Sequence, residues 1–245
     1  MRLSYGVNNK YPDDIYIVSY PRSGNTWTRY IMAYLKAGTL KPLTSIEVDR
    51  YVPDIYANAT NANLDTSRRV IKTHLPMMNL YPRVVFVHRD PRESLVSFWH
   101  YSRRVGNFNG TFPQFIRSSV SALHGSWKNH MRAMQWKMEN DPQNIHVIRY
   151  DGLQNDFQKT VLGLIDWCGF GSGVDLDTLK SLTSMETMAS SDKDCPSPFR
   201  SKSGESFFVD RGKGSGWRSV WSQSDLDWLA KDREMVAIMK RHGYC

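Results

Sequence analysis

Lys72 and His74 are the pair best placed to do chemistry. They stand two apart in Val70-Ile71-Lys72-Thr73-His74-Leu75-Pro76, an apolar run that turns polar and is stopped by proline. Residues two apart on a strand face the same side. A neutral imidazole, with an ordinary pKa of about 6.5, is a suitable general base near neutral pH. An ammonium beside it can stabilise charge that builds on an oxygen as its bond breaks. A second stretch, Ser19-Tyr20-Pro21-Arg22-Ser23-Gly24-Asn25-Thr26-Trp27, joins a Val/Ile-rich run to a segment of helical period. Pro21 and Gly24 make a sharp turn, and the free N–H groups of a helix start favour a phosphate. Arg22 adds positive charge; Ser23, Asn25 and Thr26 add side-chain donors. The Gly-Lys-Ser/Thr ending of a Walker A loop is absent. A third stretch, Arg83 to Pro91, brings Arg89 to a turn, where a guanidinium can fork onto a phosphate, with Ser97 two turns further on. A fourth, Phe207 to Arg218, is basic and glycine-rich and can close over a phosphate. Each stretch also admits a plainer role: a capped turn, a strand-capping His, an Arg paired with a carboxylate, a surface loop.

The elements that must position these residues alternate. Ile15 to Ser19, Arg69 to Thr73, Arg83 to His88 and Ile145 to Tyr150 are short Val/Ile-rich runs that read as buried strands. Between them, Trp27, Tyr30, Ile31, Tyr34 and Leu35 share one helix face, as do Phe157, Val161, Leu164, Ile165 and Cys168. Asp90-Pro91-Arg92-Glu93 reads as a helix start with Asp as cap, Pro at the first position and Glu in a capping box. Alternating strands and helices imply an α/β fold, a single domain over residues 1–245 with a central parallel sheet flanked by helices on both faces. Residues 38 to 66, 103 to 113 and 189 to 216 break the pattern and are expected to line the end of the sheet where open α/β folds bind ligands.

The quoted stretches, in this order and spacing, resemble the cytosolic sulfotransferases that use 3'-phosphoadenylyl sulfate (PAPS) as donor and release 3',5'-bisphosphoadenosine (PAP). The resemblance spans residues 15 to about 222 and implies a fold related to the P-loop NTPases. It makes residues 19–27 the 5'-phosphosulfate loop, with Arg22 in place of the family lysine that bridges toward the leaving sulfate. It implies His74 as the base, Lys72 as its electrostatic partner, and Arg89 with Ser97 as the 3'-phosphate site. Trp27, Tyr150 and Thr183 fall where that family contacts adenine, and Arg211 with Gly212 where a lid completes the 3'-phosphate site. The lid departs from the family pattern: Asp210 replaces an Arg, and Gly214-Ser215-Gly216 differs as well. Met185 stands where an aromatic is usual. Gly125-Ser126-Trp127 opens a helix as in the family, and the segment after Trp217 matches the family's dimer motif too loosely to imply a dimer.

The chain has 245 residues, 40% of them apolar, and a formal charge of +8. That charge fits an anionic partner, which the donor supplies; a basic nucleic-acid-binding module is the rival reading, but no such motif appears and the basic residues are dispersed. A nucleotide kinase or other phosphoryl-transfer enzyme would explain the first loop and leave the Lys72/His74 and Arg89/Ser97 pairs unexplained. Cys168, Cys195 and Cys245 form no metal-ligand spacing and fit a reducing compartment. The N-terminus reads as neither a signal peptide nor a membrane span, so a cytoplasmic protein with no membrane and no metal is expected. The acceptor, a small molecule with a hydroxyl or amine, is expected in a pocket lined by residues 38 to 66, 100 to 125 and 189 to 210, which carry Tyr51, Tyr56, Trp99, Tyr101, Phe108 and Phe112. Glu47, Asp49, Asp54 and Asp65 in the first of these are expected in solvent or beside a cationic acceptor. His88, His100, His124, His130, His146 and His242 are expected in structural or surface roles.

Overall fold

The computed structural model describes residues 10–56, 68–191 and 216–244. Four strands, β1 (Ile15–Ser19), β2 (Val70–Thr73), β3 (Arg83–His88) and β4 (Ile145–Arg149), form one sheet in the order β2-β1-β3-β4. All three pairings are parallel. The four runs read as strands are therefore strands, and two of them are one residue shorter than the sequence implied.

Period-two burial divides the sheet between two cores. Tyr16, Val18, Ile71, Val84 and Phe86 face one side. There they meet α3 (Pro91–Arg104), α4 (Phe112–Ile116), α5 (Trp127–Asn140), α10 (Gln223–Ala230) and α11 (Arg233–Arg241). Ile15, Ile17, Val70, Val85, Val87 and Ile148 face the other. That side is covered by α1 (Asn25–Ala37), α2 (Ser45–Tyr51), α6 (Tyr150–Asn155), α7 (Phe157–Cys168), α8 (Leu176–Leu182) and α9 (Met185–Ser191). Helices thus cover both faces, as a parallel sheet requires.

Two features of this topology create a crevice. The register sets Val18 beside Thr73 and Ser19 beside Val87, so β1, β2 and β3 end level with one another. The helix after β1 joins one core and the helix after β3 joins the other. The connections following these neighbouring strands diverge, which is the switch point where open α/β sheets bind ligands. The start of α3 is built as expected in one respect and differently in another. Asp90 accepts a hydrogen bond from the Arg92 N–H at 2.8 Å, with Pro91 in the first turn. Glu93 does not reach back in a capping box. It accepts from the Trp217 N–H at 3.1 Å and lies 3.5 Å from Arg89, because both partners stand beside this turn. No described helix is long and apolar enough to cross a membrane.

Candidate active site

The turn after β1 is tight because two of its residues have left-handed backbone. Arg22 has φ 65° and Gly24 has φ 105°. Glycine is required at 24 on two counts: a Cβ there would be strained at that φ and would come 2.7 Å from Cδ2 of Tyr150. Gly24 is also the N-cap of α1. It offers no capping side chain, and no acidic residue occupies the first turn. The N–H donors of that turn and the positive end of the helix are left for an external anion, so this end of the molecule fits a phosphate.

Arg22 is the side chain free of the glycine exemption, and a non-glycine residue at this φ is uncommon. Its guanidinium donates from Nε to Ser97 Oγ at 3.1 Å and lies 5.4 Å from the centre of the Tyr101 ring. Arg22 and Ser97, expected at opposite phosphates of the donor, are thereby in direct contact. Ser23 and Asn25 correct one expectation. The Ser23 hydroxyl is buried and bonds Ser94 Oγ at 3.1 Å. The buried Asn25 amide donates to Ser19 Oγ at 3.0 Å and to the Thr73 carbonyl at 3.2 Å. Their side-chain donors face protein, so a phosphate would meet their backbone N–H groups. Thr26 stays part-exposed at the helix start.

Residues far apart in sequence converge beside this loop. Trp27 donates from Nε1 to Thr183 Oγ1 at 3.3 Å. Its ring is 5.9 Å from that of Tyr150, edge to face, and 6.1 Å from that of Phe157, stacked. Arg89 lies over the Tyr150 ring at 4.3 Å. The three positions expected at adenine are therefore one cluster, and Tyr150 links it to Gly24 and Arg89. Arg89 stands just before the cap of α3 and Ser97 two turns into it, with Glu93 between them. Arg211 and Gly212, expected to complete this end, lie outside the described residues.

At the other end of the turn stands His74, just past β2. Its Nδ1 is 2.9 Å from the Ser19 carbonyl oxygen. A carbonyl only accepts, so Nδ1 carries the proton and Nε2 keeps its lone pair. The backbone N–H of His74 donates to the Tyr56 hydroxyl at 3.0 Å. Burial first, then the charge of Lys72, hold the imidazole well below its ordinary pKa, against the hydrogen bond to Ser19. The ring is neutral at pH 7. Lys72 is buried and paired: its ammonium is 2.8 Å from Asp54 Oδ2 and 4.9 Å from the centre of the Tyr56 ring. Burial draws the ammonium below its ordinary pKa, with Asp54 opposing.

The described acidic residues of the first irregular stretch are engaged by partners within the protein. Asp54 holds Lys72, Asp49 holds Arg29 at 2.5 Å, and Glu47 closes a capping box with Thr44 at the start of α2. Asp65 lies outside the described residues. His124, assigned above to structure or surface, stands with its ring 5.6 Å from that of His74 and 5.0 Å from that of Tyr56. Position immediately before Gly125-Ser126-Trp127 was the only available signal, and a signal of that kind does not say where the ring points.

Known proteins resemble the chain in sequence and in fold. Residues 12–228 match the sulfotransferase domain family. Human sulfotransferase 2B1 is 30% identical over 192 residues, which are 72% of this chain and 51% of that protein. Zebrafish cytosolic sulfotransferase 1 is 30% identical over 66% of this chain and 61% of its own length. The chain thus spans between half and two thirds of these relatives. Mouse sulfotransferase SULT7A1 complexed with PAP superposes with a TM-score of 0.68 at 20% identity, over 96% of this chain and 87% of that one. Retinol dehydratase in a complex with retinol and PAP gives 0.68 at 19% identity, over 96% and 83%. A parallel sheet with an uncapped helix start and an imidazole at one switch point, in a chain matched over residues 12–228, belongs to the sulfotransferase domain family.

Proposed function

We propose that the protein transfers a sulfuryl group from PAPS to a hydroxyl or amine of a small-molecule acceptor, as a sulfotransferase of the cytosolic type. One observation carries the reading: Ser19 serves both halves of the reaction. Its carbonyl fixes the His74 tautomer, and the residue after it begins the phosphate turn. Base and anion site are therefore built from one strand end. PAP in two solved proteins of this fold supports the donor.

The donor supplies an activated sulfur, already bonded to a phosphate oxygen that leaves as a stable anion. The uncapped first turn of α1 takes the 5'-phosphate side through backbone N–H groups. Arg89, with Ser97, takes the 3'-phosphate, and Trp27, Tyr150 and Thr183 flank the base. His74 Nε2 accepts the acceptor's proton as the new bond to sulfur forms. The electron pair of the broken bond passes to the phosphate oxygen, where Arg22 is the nearest cation in the turn. Lys72 adds positive charge from its pair with Asp54, and its charge keeps His74 unprotonated and ready as a base.

Isothermal titration with PAP and with ADP tests the reading. PAP is expected to bind at least tenfold more tightly, since only it engages Arg89 and Ser97. Tighter binding of ADP would make the protein a phosphoryl-transfer enzyme instead.

A further inference from the structure

We propose that His124 is an acceptor-binding residue, and that it selects acceptors carrying a second hydroxyl on the carbon next to the one that is sulfated. This deepens the function proposed above and rests on His74 as the base.

His124 is held in place from two sides. The Tyr20 hydroxyl, in the phosphate turn, donates to the Ser121 carbonyl at 2.6 Å. His130 places Nε2 2.7 Å from the carbonyl of His74 itself. Between these anchors the chain passes against Pro76 at Gly125, which has φ 89° and where a Cβ would come 3.2 Å from Pro76 Cγ. Only glycine suits that approach. The segment bearing His124 is therefore fixed relative to the base by the base's own main chain.

The result is a small enclosure of three rings. His74 and His124 are 5.6 Å apart and tilted by 37°. Tyr56 lies 5.0 Å from His124 and 6.0 Å from His74. His74 Nδ1 is committed to Ser19, and the Tyr56 hydroxyl accepts from the His74 N–H. Neither ring nitrogen of His124 has a hydrogen-bond partner among the described residues, although the ring is half-buried. The ring is part-exposed beside His74, so its two nitrogens are available to a ligand that enters between the rings.

The chemistry of the transfer needs one base, and His74 supplies it. A second imidazole beside it is surplus to proton removal. Burial and the charge of Lys72 hold His124 below its ordinary pKa, so it too is neutral at pH 7. A neutral imidazole offers one donor and one acceptor, the complement of a hydroxyl. A carboxylate or ammonium on the acceptor would find no opposite charge there, because Lys72 and Asp54 are already paired. Neighbouring rings address neighbouring oxygens: one hydroxyl meets His74 Nε2 and loses its proton, while the adjacent one bonds His124 and keeps its own. The ring of Tyr56 closes a third side.

The test measures kcat/KM with PAPS for catechol, phenol and cis-cyclohexane-1,2-diol against cyclohexanol, in wild type, His124→Phe, His124→Gln and His74→Ala, each variant first checked for PAP binding. Wild type is expected to prefer the diol of at least one pair by about tenfold, the worth of one well-placed hydrogen bond. In His124→Phe that ratio should fall to about two, the factor set by two equivalent hydroxyls, and His124→Gln should retain part of it. Preference in the catechol pair alone assigns an aromatic diol; preference in the cyclohexane pair assigns an aliphatic one. A ratio unchanged in His124→Phe, equal loss on diol and single alcohol, or no diol preference in wild type overturns the proposal. Those results with a dead His74→Ala leave the underlying function standing, whereas an active His74→Ala removes the base on which both rest.

Discussion

The proposed donor end and the proposed acceptor end of the crevice are built in opposite ways. The donor end rests on backbone: a turn with two left-handed residues, an uncapped helix start and a glycine that admits the Tyr150 ring. The acceptor end rests on side chains from separate segments, with Asp54, Tyr56, Lys72, His74 and His124 gathered by packing and buried charge. Backbone geometry needs a contiguous run of residues to specify it. A side-chain cluster needs only that the fold deliver each member. The first kind of site is specified by one stretch of chain, and the second by residues scattered along it.

The sharpest way to separate the two ends is His74→Ala. Transfer should fall about a thousandfold while PAP affinity stays within a few-fold of wild type, read by steady-state kinetics and calorimetry. If PAP affinity collapses as well, the ends are not independent. Next is Asp54→Asn, which leaves the Lys72 ammonium buried without its partner. Denaturant unfolding should show a loss of about 3 kcal/mol, largely recovered when Lys72→Met is added. A loss below about 1 kcal/mol would mean that the acceptor end does not depend on this charge pair. Gly24→Ala addresses the donor end alone. Strain at φ 105° and the contact with Tyr150 should cost about 2 kcal/mol in thermal unfolding and weaken PAP binding, without altering which acceptors react.

Acid should act on both ends, with a sign that follows from the histidines. His88, at the end of β3, is pushed down to about 3 by burial first and by His242 and Arg149 after it. His74, His124 and His130 are also lowered. The unfolded chain therefore takes up protons near pH 6.5 that the folded chain refuses. Stability is full above that value and declines as pH falls toward the folded pKa values, by at most about 1.4 kcal/mol per unit for each group. Stability measured by denaturant from pH 8 to pH 5 should show this slope, and turnover should lack an acid limb at 6.5. A limb at that pH would show His74 to titrate normally.

The same contrast governs what the sequence makes legible. The four strands, the helix start at Asp90 and the tight turn after the first strand are local patterns, and all appear where the residues imply them. The convergence of Trp27, Tyr150 and Thr183 follows once the turn is identified with a family site. The inward orientation of Asn25, the pairing of Lys72 with Asp54 and the approach of His124 to His74 are not legible. Each involves a partner at least 18 positions away, though Asn25 also bonds Ser19 nearby, and nothing in the local pattern of either distant member encodes the distance between them. Glu93 fails differently: its capping-box spacing is right, but Arg89 and Trp217 offer it stronger partners.

The Asn25 amide, bonded at once to Ser19 and to the main chain at Thr73, makes a mechanical strut between the proposed nucleotide end and the strand that leads to His74. A tilt of the first helical turn on filling its anion site would be transmitted along that strut as a displacement of the imidazole. The ring resonances of His74 should then respond to PAP without any contact between them, and substituting Asn25 with alanine should silence the response.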